Sequence, residues 1–189
     1  MTAMTMVRDR MWAIDSRVIV YSAIGAALYG VLLVFQLPIP GTTAVSVRPA
    51  FALVPFFGYA FGPIAGFFTG LVGNAVGDQI SGWGALTSWN WSLANGFVGL
   101  LAGLAPLYLG RMMARSLSSR ALAGAIAGAI AVVIGFFFVF TDIVKDQMDP
   151  NAVLVQEYIP VIVGDLIATI ILVPILVYAW QPVRERMGR

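Results

Sequence analysis

The sequence predicts an all-α polytopic membrane protein with six transmembrane helices and both termini in the cytoplasm. Three observations carry that expectation. Hydrophobic residues make up 60% of the 189 residues and charged residues only 11%, against about 25% charged in soluble domains. Mostly apolar runs, most of them long enough to cross roughly 30 Å of hydrocarbon, recur along the whole chain. The basic residues fall in clusters between those runs, as a membrane topology requires.

The segments expected to cross are residues 17–37, 49–61, 63–80, 93–109, 122–140 and 158–180. The second and third share one apolar stretch. Gly62-Pro63 divides it, because proline lacks an N–H and restricts the residue before it. The piece before the break is short, so a re-entrant pair is the alternative to two full spans. Residues 1–16 form a cytoplasmic N-terminal segment, 17–180 one six-helix domain, and 181–189 a cytoplasmic tail. No cleavable signal peptide is expected, since the first apolar segment is too long and its Ala-rich stretch lies inside it.

Charge sets the orientation. Six crossings place Arg8, Arg10, Arg17, Arg111, Arg115, Arg120, Arg184, Arg186 and Arg189 on one side, and only Arg48 and Lys145 on the other. Short loops rich in Lys and Arg stay cytoplasmic. Five or seven crossings would break the pattern.

Composition also excludes functions. With no Cys and no His, thiolate chemistry, metal ligation through these residues and an imidazole base are absent. No catalytic residue, metal site or cofactor is expected. The arginines form no continuous basic face, so nucleic acid is not a partner. No phosphate-binding loop motif occurs, so the chain should not hydrolyse ATP itself.

The polar residues gather in the outer half. Asn74 and Asp78 lie four apart in a helix rich in glycine (Gly62, Gly66, Gly70, Gly73, Gly77). They serve either as structural glue or as pocket lining, because both are costly in lipid. Trp83, Trp89 and Trp91 follow, with Asn90 and Asn95. Interfacial anchoring explains one or two of these tryptophans. Aromatic planes beside amides also suit a flat heteroaromatic ligand. Lys145 can pair with Asp142 or Asp146. Glu157 opens the last segment, and Asp165 is the most deeply placed acid, needing water, a proton or a partner. Arg48 at the outer entrance can bond a ligand anion or neutralise Asp78 or Asp165. The arrangement describes a pocket open outward above an apolar body, without the polar lining at both ends that a channel needs. In the first segment Ala23 and Ala27 share a face, and Ala26 and Gly30 make a second small pair. Such faces let another helix approach closely.

Four stretches carry a family resemblance: "AIGAALYG", "VRPAFALVPFFGYAFGPIAGFFTGLVGNAVGDQISGWG", "WNWSLANGFVGLLAG" and "VGDLIATIILVPILV". On these, and over nearly its whole length, the sequence resembles the substrate-binding S component of energy-coupling factor (ECF) vitamin transporters, nearest to the riboflavin-type group. Similar sequences have been assigned to other vitamins, cobalamin among them. The resemblance implies a small protein of the inner (cytoplasmic) membrane that binds a vitamin or vitamin precursor from outside. It implies a transmembrane coupling subunit and two cytoplasmic ATPase subunits as partners, with Ala23 and Ala27 against the coupling subunit. The chain itself would be no enzyme, its transport powered by ATPases on other chains. Two other functions remain open. A proton-coupled secondary transporter would use Asp165 or Glu157, but no inverted repeat supports it. A non-transport scaffold leaves the three tryptophans beside a polar loop unexplained.

Overall fold

In hydrocarbon only hydrogen bonds within a segment can satisfy its backbone, so apolar stretches become helices. The computed structural model describes residues 11–42 and 45–187. Arg8, Arg10 and Arg189 of the charge pattern lie outside the described residues. Helix α1 (Ser16–Leu32) begins at Asp15, whose carboxylate accepts from the Val18 N–H at 2.9 Å, a standard N-cap. The first helix stops short of residue 37 because the chain turns into a small antiparallel hairpin. Its strands are β1 (Leu37–Pro38) and β2 (Ser46–Val47), with Leu37 opposite Val47.

A tight helical turn at Pro49–Ala52 leads into α2 (Leu53–Phe61). Gly62 takes φ 105° and Pro63 starts α3 (Pro63–Ile80), so the expected break falls at that dipeptide. Helix α4 (Trp89–Gly103) starts earlier than the expected 93 and meets α5 (Ala105–Met113) at a 44° bend. Pro106 supplies the cause: it cannot donate a backbone hydrogen bond across the junction. Helix α6 (Leu117–Gly135), capped by Ser116, continues through a tight turn at Phe136–Thr141 into α7 (Asp142–Lys145). Helix α8 (Pro150–Ala152) passes through a widened turn at Val153–Tyr158 into α9 (Ile159–Arg186).

The molecule is thus an all-α, multi-helix membrane protein with one minor hairpin. Among the described residues, Leu117–Lys145 and Pro150–Arg186 are each long and apolar enough to cross a bilayer, and the bent pair α4–α5 is a third if it makes one span. Helix α1 is apolar but has 17 residues, a rise of about 25 Å. The exposure pattern is that of a lipid-facing bundle. On α9, Ile159, Val163, Ile167, Ile170, Ile171 and Ile175 are exposed, while Gly164, Asp165, Ala168 and Thr169 are buried. Polar groups turned inward and branched apolar groups turned outward are what hydrocarbon selects.

Helix α3 lies between α1 and α4. Its glycines let both neighbours come close. A Cβ on Gly99 of α4 would collide with the Gly66 carbonyl, and one on Gly73 would meet the Tyr29 ring at 2.7 Å. Lipid gives no hydrophobic drive between helices, so this fit of shape holds the bundle. Two core clusters result. Tyr29, Phe51, Val98 and Phe136 fill one half, and Phe56, Phe57, Tyr59 and Val173 fill the other.

Candidate functional site

The half that contains Tyr29 carries nearly all the buried polar side chains. Two hydrogen-bonded groups form there. In the first, Arg48 Nη1 donates to Asn74 Oδ1 at 3.2 Å, and Asn74 Nδ2 donates to Asp78 Oδ2 at 2.9 Å and to Ser92 Oγ at 3.2 Å. The β2 strand delivers Arg48 just before Pro49. The four-residue spacing on α3 stacks Asn74 and Asp78 on one face. Asp165, only 3% exposed, lies within electrostatic reach of Arg48 from α9. Beside them, Tyr29 donates to Asn95 Oδ1 at 2.7 Å, and Asn95 Nδ2 donates to the Trp91 carbonyl at 2.8 Å.

The second group centres on Asp142. Asn90 Nδ2 and Trp91 Nε1 donate to its two oxygens, each at 2.9 Å, and Lys145 approaches at 3.4 Å. A buried carboxylate is tolerated when both oxygens accept hydrogen bonds in this way. Lys145 also bonds Asp146 at 2.6 Å. Its ammonium holds the Asp146 carboxyl below the usual carboxylate range.

These groups border two adjoining cavities. One, of about 290 Å³, is walled by Gln36, Thr42, Ser46 and Ser81; the other, of about 310 Å³, by Asn74, Trp91, Asp142, Lys145, Asp146 and Glu157. Arg48, Asp78 and Trp83 face both. The structure therefore brings together Arg48, Asn74, Asp78, Trp83 and Trp91 from the expected set. Asn90 and Asn95 are buried behind the wall and orient Asp142 and Trp91. Asp165 stands behind Arg48.

Trp89 lies apart. It is 45% exposed and lines an apolar groove with Leu71, Val72 and Leu86. Because α4 begins at Trp89, two residues of helix turn Trp89 and Trp91 to different faces. Tyr29, Ser92 and the hairpin residues Thr42 and Ser46 escaped the sequence reading. Ser92 had a signal: at four residues N-terminal to Gly96, it shares the α4 face that meets α3. The hairpin had none.

Away from the cavities, Ala23 and Ala27 are exposed on α1, while Ala26 and Gly30 face α3. Ala23 opens on an apolar groove of about 420 Å³ with Ile19, Phe68 and Val72 in its walls.

The chain matches the family model described as "ECF-type riboflavin transporter, S component" over residues 13–180. Among curated proteins it is similar to the UPF0397 protein of Vibrio atlanticus (strain LGP32), 40% identical over 95 residues, covering 49% of this chain and 50% of that one. The UPF0397 protein of Aliivibrio fischeri (strain MJ11) is 38% identical over 96 residues, covering 50% of each chain. The matched region spans about half the length of these curated relatives. No solved structure matches the chain.

Proposed function

We propose, because this chain belongs to the family of ECF-type riboflavin transporter S components, that it is the membrane-embedded part of a vitamin importer. It binds a vitamin or vitamin precursor from outside with high affinity, and an ATP-driven coupling complex delivers that molecule inward. The observation that carries the reading is the polar double cavity around Arg48, set at one end of a bundle whose lipid-facing sides are apolar. Arg48, Asn74, Asp78, Trp83 and Trp91 would contact the molecule. Asn90, Asn95 and Asp165 would hold the wall in place, and Trp89 would sit at the membrane interface.

The bundle would cross the inner membrane six times with both termini in the cytoplasm, which puts the cavity on the outer side. Helix α1 and the segment Pro49–Phe61 are short for full spans and would rely on tilt and local thinning of the bilayer. The exposed Ala23 and Ala27 would meet a transmembrane coupling subunit, itself joined to two cytoplasmic ATPases. Their small side chains leave room for close backbone approach.

The test pairs binding with uptake. Ala27→Trp should leave the affinity of the isolated chain nearly unchanged. It should abolish ATP-driven uptake and co-purification of the coupling subunit in the reconstituted complex. Normal ATP-driven uptake with intact assembly would remove this face as the docking surface. Uptake by the chain alone, driven by a proton gradient, would replace the importer reading with a secondary carrier.

A further inference from the structure

On the reading that the double cavity holds the transported molecule, we propose a charge class for that molecule: an organic cation, a flat ring system bearing a protonated amine or ring nitrogen and no phosphate.

The wall chemistry supports this. The lobe beside Trp91 is lined by four carboxylates, Asp78, Asp142, Asp146 and Glu157, against two cations, Arg48 and Lys145. A proton on any one carboxyl still leaves the lining net negative. Both cations already have partners in the wall. Lys145 already bonds Asp142 and Asp146. Arg48 donates to Asn74 and lies within electrostatic reach of Asp78 and Asp165. A phosphate in this lobe would compete with the carboxylates for Lys145 and would face the carboxylates that outnumber the cations, and like charges juxtaposed at an interface are strongly disfavoured. A cation brings the charge that the lining lacks.

The aromatic groups agree. Trp83 stands at the junction of the two lobes, 56% exposed, and Trp91 lines the acidic one. Indole side chains beside carboxylates are surroundings in which an organic ammonium can be held by cation–π attraction. The other lobe carries Gln36, Thr42, Ser46 and Ser81 and suits a neutral, hydroxylated arm. Buried Arg48 Nε has no hydrogen-bond partner among the described residues, which leaves one donor for a ring carbonyl or nitrogen.

The test is equilibrium binding to the full chain in lipid nanodiscs with three probes that share one ring system. They are riboflavin, flavin mononucleotide, and riboflavin with its terminal hydroxyl replaced by an amine. The amine form should bind at least tenfold more tightly than riboflavin, and the phosphate form at least tenfold more weakly. Glu157→Gln should reduce the preference for the amine over riboflavin to within about threefold. Asp146→Asn, at the exposed rim, provides the same test if the buried change disturbs folding. Equal or tighter binding of the phosphate form, riboflavin preferred to the amine, or an unchanged preference in the variants overturns the charge class and leaves the importer reading intact. If no probe binds, the molecule released from the purified protein decides by its electrophoretic charge. A cation supports the proposal, and a neutral or anionic molecule overturns it. Release of no molecule removes the pocket reading and this proposal together.

Discussion

The two ends of the bundle solve the same problem in opposite ways. At the Arg48 end, hydrogen-bonded side chains hold space open. Asp142 ties Asn90, Trp91 and Lys145, Asn74 ties Arg48, Asp78 and Ser92, and cavities remain between them. At the Trp180 end, rings close on one another. Tyr21 stacks on Phe61 at 4.1 Å between centroids, Trp180 stands edge-on to Phe61 at 5.0 Å, and the Tyr59 hydroxyl donates to the Arg120 carbonyl at 2.8 Å. Aromatic rings can fill volume without directional partners, whereas buried charges must be spaced to suit their hydrogen bonds. Access at one end and closure at the other follow from that difference, although both ends share the same helices.

The largest expected effect breaks both ends at once. Gly99→Leu would drive α4 from α3 where their backbones touch. Overpacking of this kind costs about 3 kcal/mol or more. The purified variant should lose its monodisperse peak in size-exclusion chromatography and melt well below the parent.

A smaller change separates the ends. Asp142→Leu removes the acceptor that serves Asn90 and Trp91, while Lys145 keeps Asp146, and leaving buried donors unsatisfied costs about 1–3 kcal/mol. Ligand binding should be lost and thermal stability lowered. Hydrogen exchange should show opening in α4 and α7 before the aromatic cluster at Phe61 loosens. Simultaneous loss at both ends would show that they unfold as one unit.

Third, Trp83→Ala and Trp91→Ala should each weaken ligand binding at least tenfold, about 1.4 kcal/mol. Trp89→Ala should leave affinity within about threefold. Calorimetry on the folded variants decides it, and a large effect at Trp89 alone would move the site to the outer groove.

The smallest effect is the pH response of the rim. Lys145 holds the Asp146 carboxyl below its usual range. A lowered folded-state value means that the pair stabilises the fold fully at neutral pH. That contribution fades as pH falls through the lowered value, below about 4. Asp146 is half exposed, so solvent screening keeps the contribution under about 1 kcal/mol. Asp146→Asn should shift the melting temperature by only a few degrees at pH 7 and not at all in acid.

Much of this was legible in the chain, and the reason differs by residue. The break at Gly62-Pro63 could be read directly, because proline's missing N–H acts whatever surrounds it. The gathering of Arg48, Asn74 and Asp78 at one end followed from the cost of polar groups in lipid. The bend between α4 and α5 was missed although Pro106 was in view, since a membrane helix often accommodates a proline. Trp89 was grouped with Trp83 and Trp91 because all three are near in sequence. The start of α4 then turned it to another face.

By itself the sequence determined that the chain lies in a membrane, that its polar residues collect at one end, and that α1 carries a small-residue face. Those outcomes depend on composition and on the period of a helix, which are local. Only the tertiary structure decided which polar residues line a cavity and which buttress it. Asn74 and Asn95 have the same chemistry and similar burial, yet one faces the cavity and the other props Tyr29 against Trp91. That division depends on how closely α3 approaches α1 and α4. The approach is set by glycines meeting backbone across helices, a relation between distant residues that no local pattern records.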